Sequence, residues 1–432
     1  MIENKSCVMS NGNRHIPPLL AGSSIALIIS VLCVAARPSI AAPKRAKGDP
    51  AAPFALVGTA PGSFSLRARS TGSVSVESPF SSDGRLLLLG TDKTGVRVFD
   101  CRTLNPVTAF MPHAGLEFAA FVDGSNRIFT AGGKTVCFWD IRSSKLMSST
   151  QVFKDDVIHL AAVAPDGKRY VVQGYARSES ALLWRSDDVR QPIARLTHVV
   201  GADSIEFRSD GKRIFTTETM QPHRSGDPIV HVWNAETGQE IFKPTVFGQD
   251  DLEVWDCADA VLDASGARVL VAEHGGFAIF DCKSGKTLAS GKTYSADLRT
   301  TVQSICWSPV GDRIIVVGWI NLCPANVQVF EASTGKLVRS ITSDTWALTP
   351  FPDGRWVVCR VGQAGRAKRT QLWDTVSGKL LQEIAGGNWT VAVSPDGEHI
   401  AINVDNHVTA VWKRLAEKAL PETNSPSTRP NP

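Results

Sequence analysis

The chain has 432 residues, 43% hydrophobic and 20% charged, which excludes an intrinsically disordered protein. Setting aside residues 1–42 removes Lys5, Arg14 and Arg37 from 46 basic and Glu3 from 42 acidic side chains, leaving 43 against 41. That near-balance lacks the basic excess of a nucleic-acid binder.

Residues 1–15 are polar and hold Lys5, Arg14 and His15. An apolar run, 16–36, follows, and then Ser39, Ile40, Ala41 and Ala42 ahead of Pro43 and the basic Lys44, Arg45 and Lys47. A basic start, an apolar centre and small residues at a cut site make a secretory signal peptide over 1–42, and so a periplasmic or extracellular protein. The alternative is an uncleaved membrane anchor over 16–36, since 21 residues could span a bilayer; Pro17, Pro18 and Gly22 weigh against it. A linker is expected over 43–62, a folded domain over 63–420 and a disordered tail over 421–432.

Beyond the leader stand Cys101, Cys137, Cys257, Cys282, Cys306, Cys323 and Cys359. Their number is odd and none has CxxC spacing, so neither a metal knuckle nor a redox pair is indicated. Most lie in apolar runs, where a thiol behaves as a small hydrophobe.

An internal repeat fills the rest of the chain. Turn glycines recur at Gly84, Gly124, Gly167, Gly211, Gly266, Gly311, Gly354 and Gly397, spaced 40, 43, 44, 55, 45, 43 and 43. An aromatic residue ends an alternating run in each unit, at Phe99, Trp139, Trp184, Trp233, Phe280, Phe330, Trp373 and Trp412. A lysine follows six residues later at Lys145, Lys286, Lys336, Lys379 and Lys418. Each unit reads as four short strands, and the only run that could be helical is 413–419. Four residues before the turn glycine the side chains are mostly large (Phe80, Val163, Phe207, Trp307). Five before it they are mostly small (Pro79, Ala119, Ala162, Ala392). That pattern suits sheets converging on an axis.

With these markers the chain resembles the WD-repeat β-propellers, through its period, the SPDG element ending at Gly397 and Trp373-Asp374. The resemblance covers residues 73 to about 420 and implies an all-β fold: one propeller of eight four-stranded blades, with seven as the alternative. It also implies a hydrogen-bond tetrad, with a His and a turn Asp among its members, that tightens each blade. Only His198 stands at the family's spacing, and Gly133 replaces the family's Asp, so that set is expected to be missing from most blades. The segment 64–69 is expected to close the ring as the outer strand of the last blade.

Chemistry is sparse. The nine histidines form neither HxH nor HExxH, and there is no GxSxG elbow or P-loop, so no cofactor and no metal is expected. The run 234–242 is similar to the blade motif of quinoprotein dehydrogenases, but the adjacent cysteines of those enzymes are absent. The reading is a non-enzymatic scaffold for a protein or peptide partner, with no nucleic acid and with membrane contact only if 16–36 is retained. The alternative is a lactonase, lyase or quinoprotein with its site at the central channel. Ligand-type residues there, eight before the turn glycine, are limited to His159 and Asp203.

Strand alternation puts the longest loops (220–228, 247–257, 318–325, 362–369) on one face. They carry the partner-binding candidates Arg224, Asp250, Asp251, Trp255, Trp319, Arg366, Lys368 and Arg369, a mixture of Trp and Arg enriched in hot spots. Export predicts that protein recovered from its host has lost the leader near Ala41 or Ala42. Intact-mass measurement checks this, and a mature species that retains Met1 contradicts it.

Overall fold

The computed structural model describes residues 52–64, 75–76, 78–91, 93–122, 124–175, 181–197, 202, 204–208, 210–217, 230–242, 259–263, 265–273, 276–293, 300–308, 311–320, 323–324, 327–341, 345–361, 369–385, 390–404 and 407–415. All of them belong to one compact unit, Pro43–Pro432. They form an all-β propeller of eight blades, each built on antiparallel strands that run outward in chain order except in blade 8; Ser75–Val76 adds a short parallel pairing inside the inner strand of blade 2. Blade 7 is typical, with Thr345–Pro350 innermost, then Trp356–Val361, Arg369–Asp374 and Leu380–Ala385. Blade 1 is the least regular. Its inner strand bonds through Phe80 and Leu87, and its outer segment through Pro106 and through Met111–Pro112. The 413–419 run is not helical where it is described, because Val408–Arg414 is the third strand of blade 8.

The turns explain the repeat. All eight turn glycines between the first and second strands have φ between +61° and +70°, a conformation that penalises a Cβ. The preceding Asp carboxylate accepts the backbone N–H two residues on, as Asp166 does from Lys168 at 2.9 Å and Asp396 from Glu398 at 3.0 Å. The Asp after the aromatic residue caps the outer turn through the backbone N–H three residues on: Asp140 accepts from Ser143 at 2.7 Å and Asp374 from Ser377 at 2.7 Å. These acidic residues are turn caps.

Packing between blades follows one rule. Each blade sets a large triad on one face against a triad on the facing side of the preceding blade. In blade 3, Val163, Tyr170 and Trp184 pack on Ala120, Phe129 and Phe138 of blade 2. In blade 4, Phe207, Ile214 and Trp233 pack on Ala162, Val171 and Leu183. In blade 6, Trp307, Ile314 and Phe330 pack on Val261, Leu270 and Ile279. At the last seam Phe80, Leu87 and Phe99 of blade 1 pack on Ala392, Ala401 and Val411 of blade 8, so the ring closes with the same contact that builds it. Blade 2 departs from the turn-based count. Phe121, not Ala120, pairs with Ile128 and takes the large position, because the turn glycine sits one residue closer to the inner strand.

The closing strand is Phe54–Pro61, paired antiparallel with Val408–Arg414. The N-terminal segment therefore does complete the last blade, but the strand lies upstream of 64–69, inside the expected linker. Of 64–69 only Phe64 is described, and it is fully buried. The reason for the offset is the path after the strand. Gly62 N–H donates to His407 O at 2.6 Å, and Ser63 bridges Gly90, so the chain spends 62–64 crossing into blade 1. Phe54 anchors the other end: its N–H donates to Gln382 Oε1 and its carbonyl accepts from Gln382 Nε2, both at 3.0 Å. Its ring packs on Phe351 and Trp356 at 5.6 and 6.3 Å.

Burial pushes the Cys101 and Cys282 thiols up to about 12, which keeps them protonated and inert. Because Phe54 is buried at the closing strand, Phe54→Ala should destabilise the protein by about 3–5 kcal/mol. Deleting residues 43–72 should lower the melting temperature further still. Denaturant and thermal unfolding check both; a deletion with unchanged stability would show that closure does not depend on this strand.

Candidate functional site

Four inner strands are irregular near their first residues. In blade 2, Leu116 pairs with Gly132 and Phe118 with Ala131, leaving Glu117 as an extra residue. The same skip singles out His159 in blade 3, Gln303 in blade 6 and Trp346 in blade 7. These are β-bulges, which re-aim a side chain out of the ladder. They recur at one position in four blades, 2, 3, 6 and 7, near the start of the innermost strand. Counting from the turn assigns this position to Leu116 in blade 2. The one-residue shift there moves Glu117 into it, a ligand-type residue that the spacing concealed.

Two of the bulge residues have described partners. Glu117 accepts two hydrogen bonds from Lys93 Nζ, at 2.8 and 2.9 Å, in a partly exposed ion pair between blades 1 and 2. The His159 ring meets the Tyr175 ring edge-on at 4.7 Å. Tyr175 is 64% exposed and its N–H donates to the carbonyl of exposed Val157 at 3.0 Å. The sector thus offers one charge pair and an aromatic edge in reach of solvent. Among the described residues no three His, Cys, Asp or Glu side chains gather as metal ligands. Asp203 lies outside the described residues.

Blade 2 holds a hydrogen-bond relay that the spacing rule missed. Trp139 Nε1–H donates to Thr130 Oγ1 at 2.9 Å, and Thr130 Oγ1 lies 2.7 Å from His113 Nδ1. His113 Nε2 faces Gly132 O at 3.2 Å. The carbonyl can only accept, so Nε2 carries the proton and Thr130 donates to Nδ1. Blade 4 keeps half of this, with Trp233 Nε1 donating to Thr216 Oγ1 at 3.1 Å. The readable signal was a Thr facing each Trp across adjacent strands. His198, the expected member of such a set, lies outside the described residues.

The expected partner-binding residues are mostly beyond view. Arg224, Asp250, Asp251, Trp255, Arg366 and Lys368 lie outside the described residues. Trp319 is in Arg313–Ile320, where its backbone pairs with Thr301 on one side and Pro324 on the other. That second strand outruns its neighbours on the loop-bearing side. Arg369 opens the third strand of blade 7 and donates to Glu383 at 3.1 Å, so its charge is engaged within the blade. Gln371 and Arg369 together hold the Glu383 carboxyl below its usual range. No protein-family model and no curated protein matches the chain.

Two buried imidazoles set an acid limit. Burial lowers the pKa of His113 and of His399, the latter in the seam facing blade 1 among Asp396, Lys413, Glu398 and Arg102. Neither His399 ring nitrogen has a hydrogen-bond partner among the described residues. Both rings bind a proton more weakly in the folded chain than in the unfolded one. Their contribution is therefore complete above the ordinary value of 6.5 and is lost as the pH falls below it. Urea midpoints at pH 7.5 and 5.5 should show this loss, and His399→Leu should flatten it. An equal loss in that variant would remove His399 from the account.

Proposed function

We propose that the protein is an exported, non-enzymatic interaction scaffold of WD-repeat type, which holds a protein or peptide partner on its loop-bearing face. The observation that carries the reading is the bulge shared by the inner strands of four blades. It puts Glu117, His159, Gln303 and Trp346 at one repeated register position. Four residue types of different chemistry suit recognition of an extended, heterogeneous surface. A reaction needs a nucleophile, base and oxyanion donors converging within hydrogen-bond reach. The bulges and their neighbours offer instead an ion pair and an exposed tyrosine, and rigid loops on a fixed ring are what binding scaffolds display.

The partner contacts are assigned to these bulges together with Trp255, Trp319, Arg224, Asp250, Asp251, Arg366, Lys368 and Arg369 on the loops. His159→Ala with Tyr175→Ala, and separately Trp255→Ala with Trp319→Ala, should each weaken capture of the partner from the exported fraction at least about tenfold, as loss of a hot spot does. The melting temperature should stay within a few degrees. Capture that survives both pairs but fails when the opposite, short-turn face is altered would place the site there.

A further inference from the structure

Three consecutive outer edges of the ring differ from the other five. The outer strand of blade 8 (Phe54–Pro61), the outer segment of blade 1 (105–112) and the outer strand of blade 2 (Leu146–Gln151) contain no Asp, Glu, Lys or Arg. Each outer strand of blades 3 to 7 has at least one: Arg195, Glu240, Lys292, Arg339 and Glu383. Charged residues on an edge strand prevent another strand from adding to it, so the uncharged sector is the undefended one.

This sector also exposes apolar side chains, as the outer strands of blades 5 and 6 do at Leu288, Leu337 and Val338. Val107 is 46% exposed, Phe110 36%, Leu146 48% and Met147 56%. Ala109 N–H donates to Ser144 Oγ at 3.0 Å, which ties the outer segment of blade 1 to the turn just ahead of Leu146. The blade 2 strand has six residues, or roughly 20 Å, and among the described residues it is paired on one side only. Val152 N–H reaches back to Lys134 O, so by alternation the backbone groups of Ser149 and Gln151 point away from the blade. The bulge at Met147 disturbs only the first residues of the strand.

We propose that this edge is a self-association surface, on which the blade 2 strands of two copies pair antiparallel about a two-fold axis at Ser149. Such pairing sets Ser149 against Ser149 and Met147 against Gln151, and so buries no unpaired charge. A charged partner strand would find no counter-charge on any of the three edges, whereas a second copy brings an edge of the same length and neutrality. Val107, Phe110 and Leu146 of each copy then supply apolar area beside the paired strands, toward the roughly 1,000 Å² that a stable interface needs.

Sedimentation equilibrium of the full chain across the micromolar range tests the proposal. The average mass should rise toward two chains. Ser149→Lys, which sets two lysines face to face at the axis, should raise the dissociation constant at least about fivefold. Ser290→Lys, on the exposed outer strand of blade 5, should leave it unchanged. If Ser149→Lys lowers the melting temperature, Gln151→Lys repeats the test at the second outward position. A single-chain mass throughout, or a dimer that neither blade 2 variant weakens, overturns the proposal. So does equal weakening by Ser290→Lys.

Discussion

The contact on which the structure depends is the apolar seam between consecutive blades. A four-stranded sheet with Val, Ile and aromatic residues on both faces cannot stand alone in water, because neither face tolerates exposure. Each blade satisfies one face on its predecessor and the other on its successor. Burial of a Val, Leu, Ile or Phe side chain contributes about 1.5–3 kcal/mol, and the four seams described above hold three to five such residues each. An open row would leave two faces uncovered. Closure of blade 8 on blade 1, through Ala392, Ala401 and Val411 against Phe80, Leu87 and Phe99, removes that defect.

Directional contacts then fix the seams that apolar packing only draws together. Arginines just past the short turns reach the neighbouring blade. Arg268 donates to Gly311 O at 2.8 Å with its guanidinium 4.6 Å from the Trp307 ring centroid, and Arg127 donates to Asp166 O at 3.3 Å. Arg414 lies over Trp356 at 4.3 Å. A guanidinium can stack on an aromatic face while its edge bonds a carbonyl, so one residue type serves both kinds of contact. The turn glycines belong to the same arrangement. A Cβ at Gly84 would meet the Asp396 carboxylate of the adjacent blade, and one at Gly311 would meet Arg268.

Apart from the bulge at Val57 in the closing strand, irregularity sits near the strand ends, where it recurs from blade to blade. Bulges near the start of four inner strands leave Glu117, His159, Gln303 and Trp346 as extra residues in the ladder. Bulges near the start of the outer strands leave Met147, Ile241, Leu288 and Val338 exposed on the rim. An extra residue at a strand end disturbs few ladder bonds and none of the seam triads, so these positions are where surface chemistry can vary without loss of the ring.

The repeat, the four strands per unit and the count of eight were legible in the sequence, because turn chemistry is local. Asp-Gly needs only its own backbone to specify a left-handed turn, and strand alternation needs only a period of two. The large and small faces were legible for the same reason, except in blade 2, where the turn glycine is displaced by one residue. Tertiary structure decided the rest. Which N-terminal strand sews the ring depends on where the chain meets Val408–Arg414 and on Gln382 across more than three hundred residues, and no local signal records such a partner. The His113–Thr130–Trp139 relay and the bulge that presents Glu117 were invisible to spacing rules, because pairing register, not sequence distance, brings those atoms together.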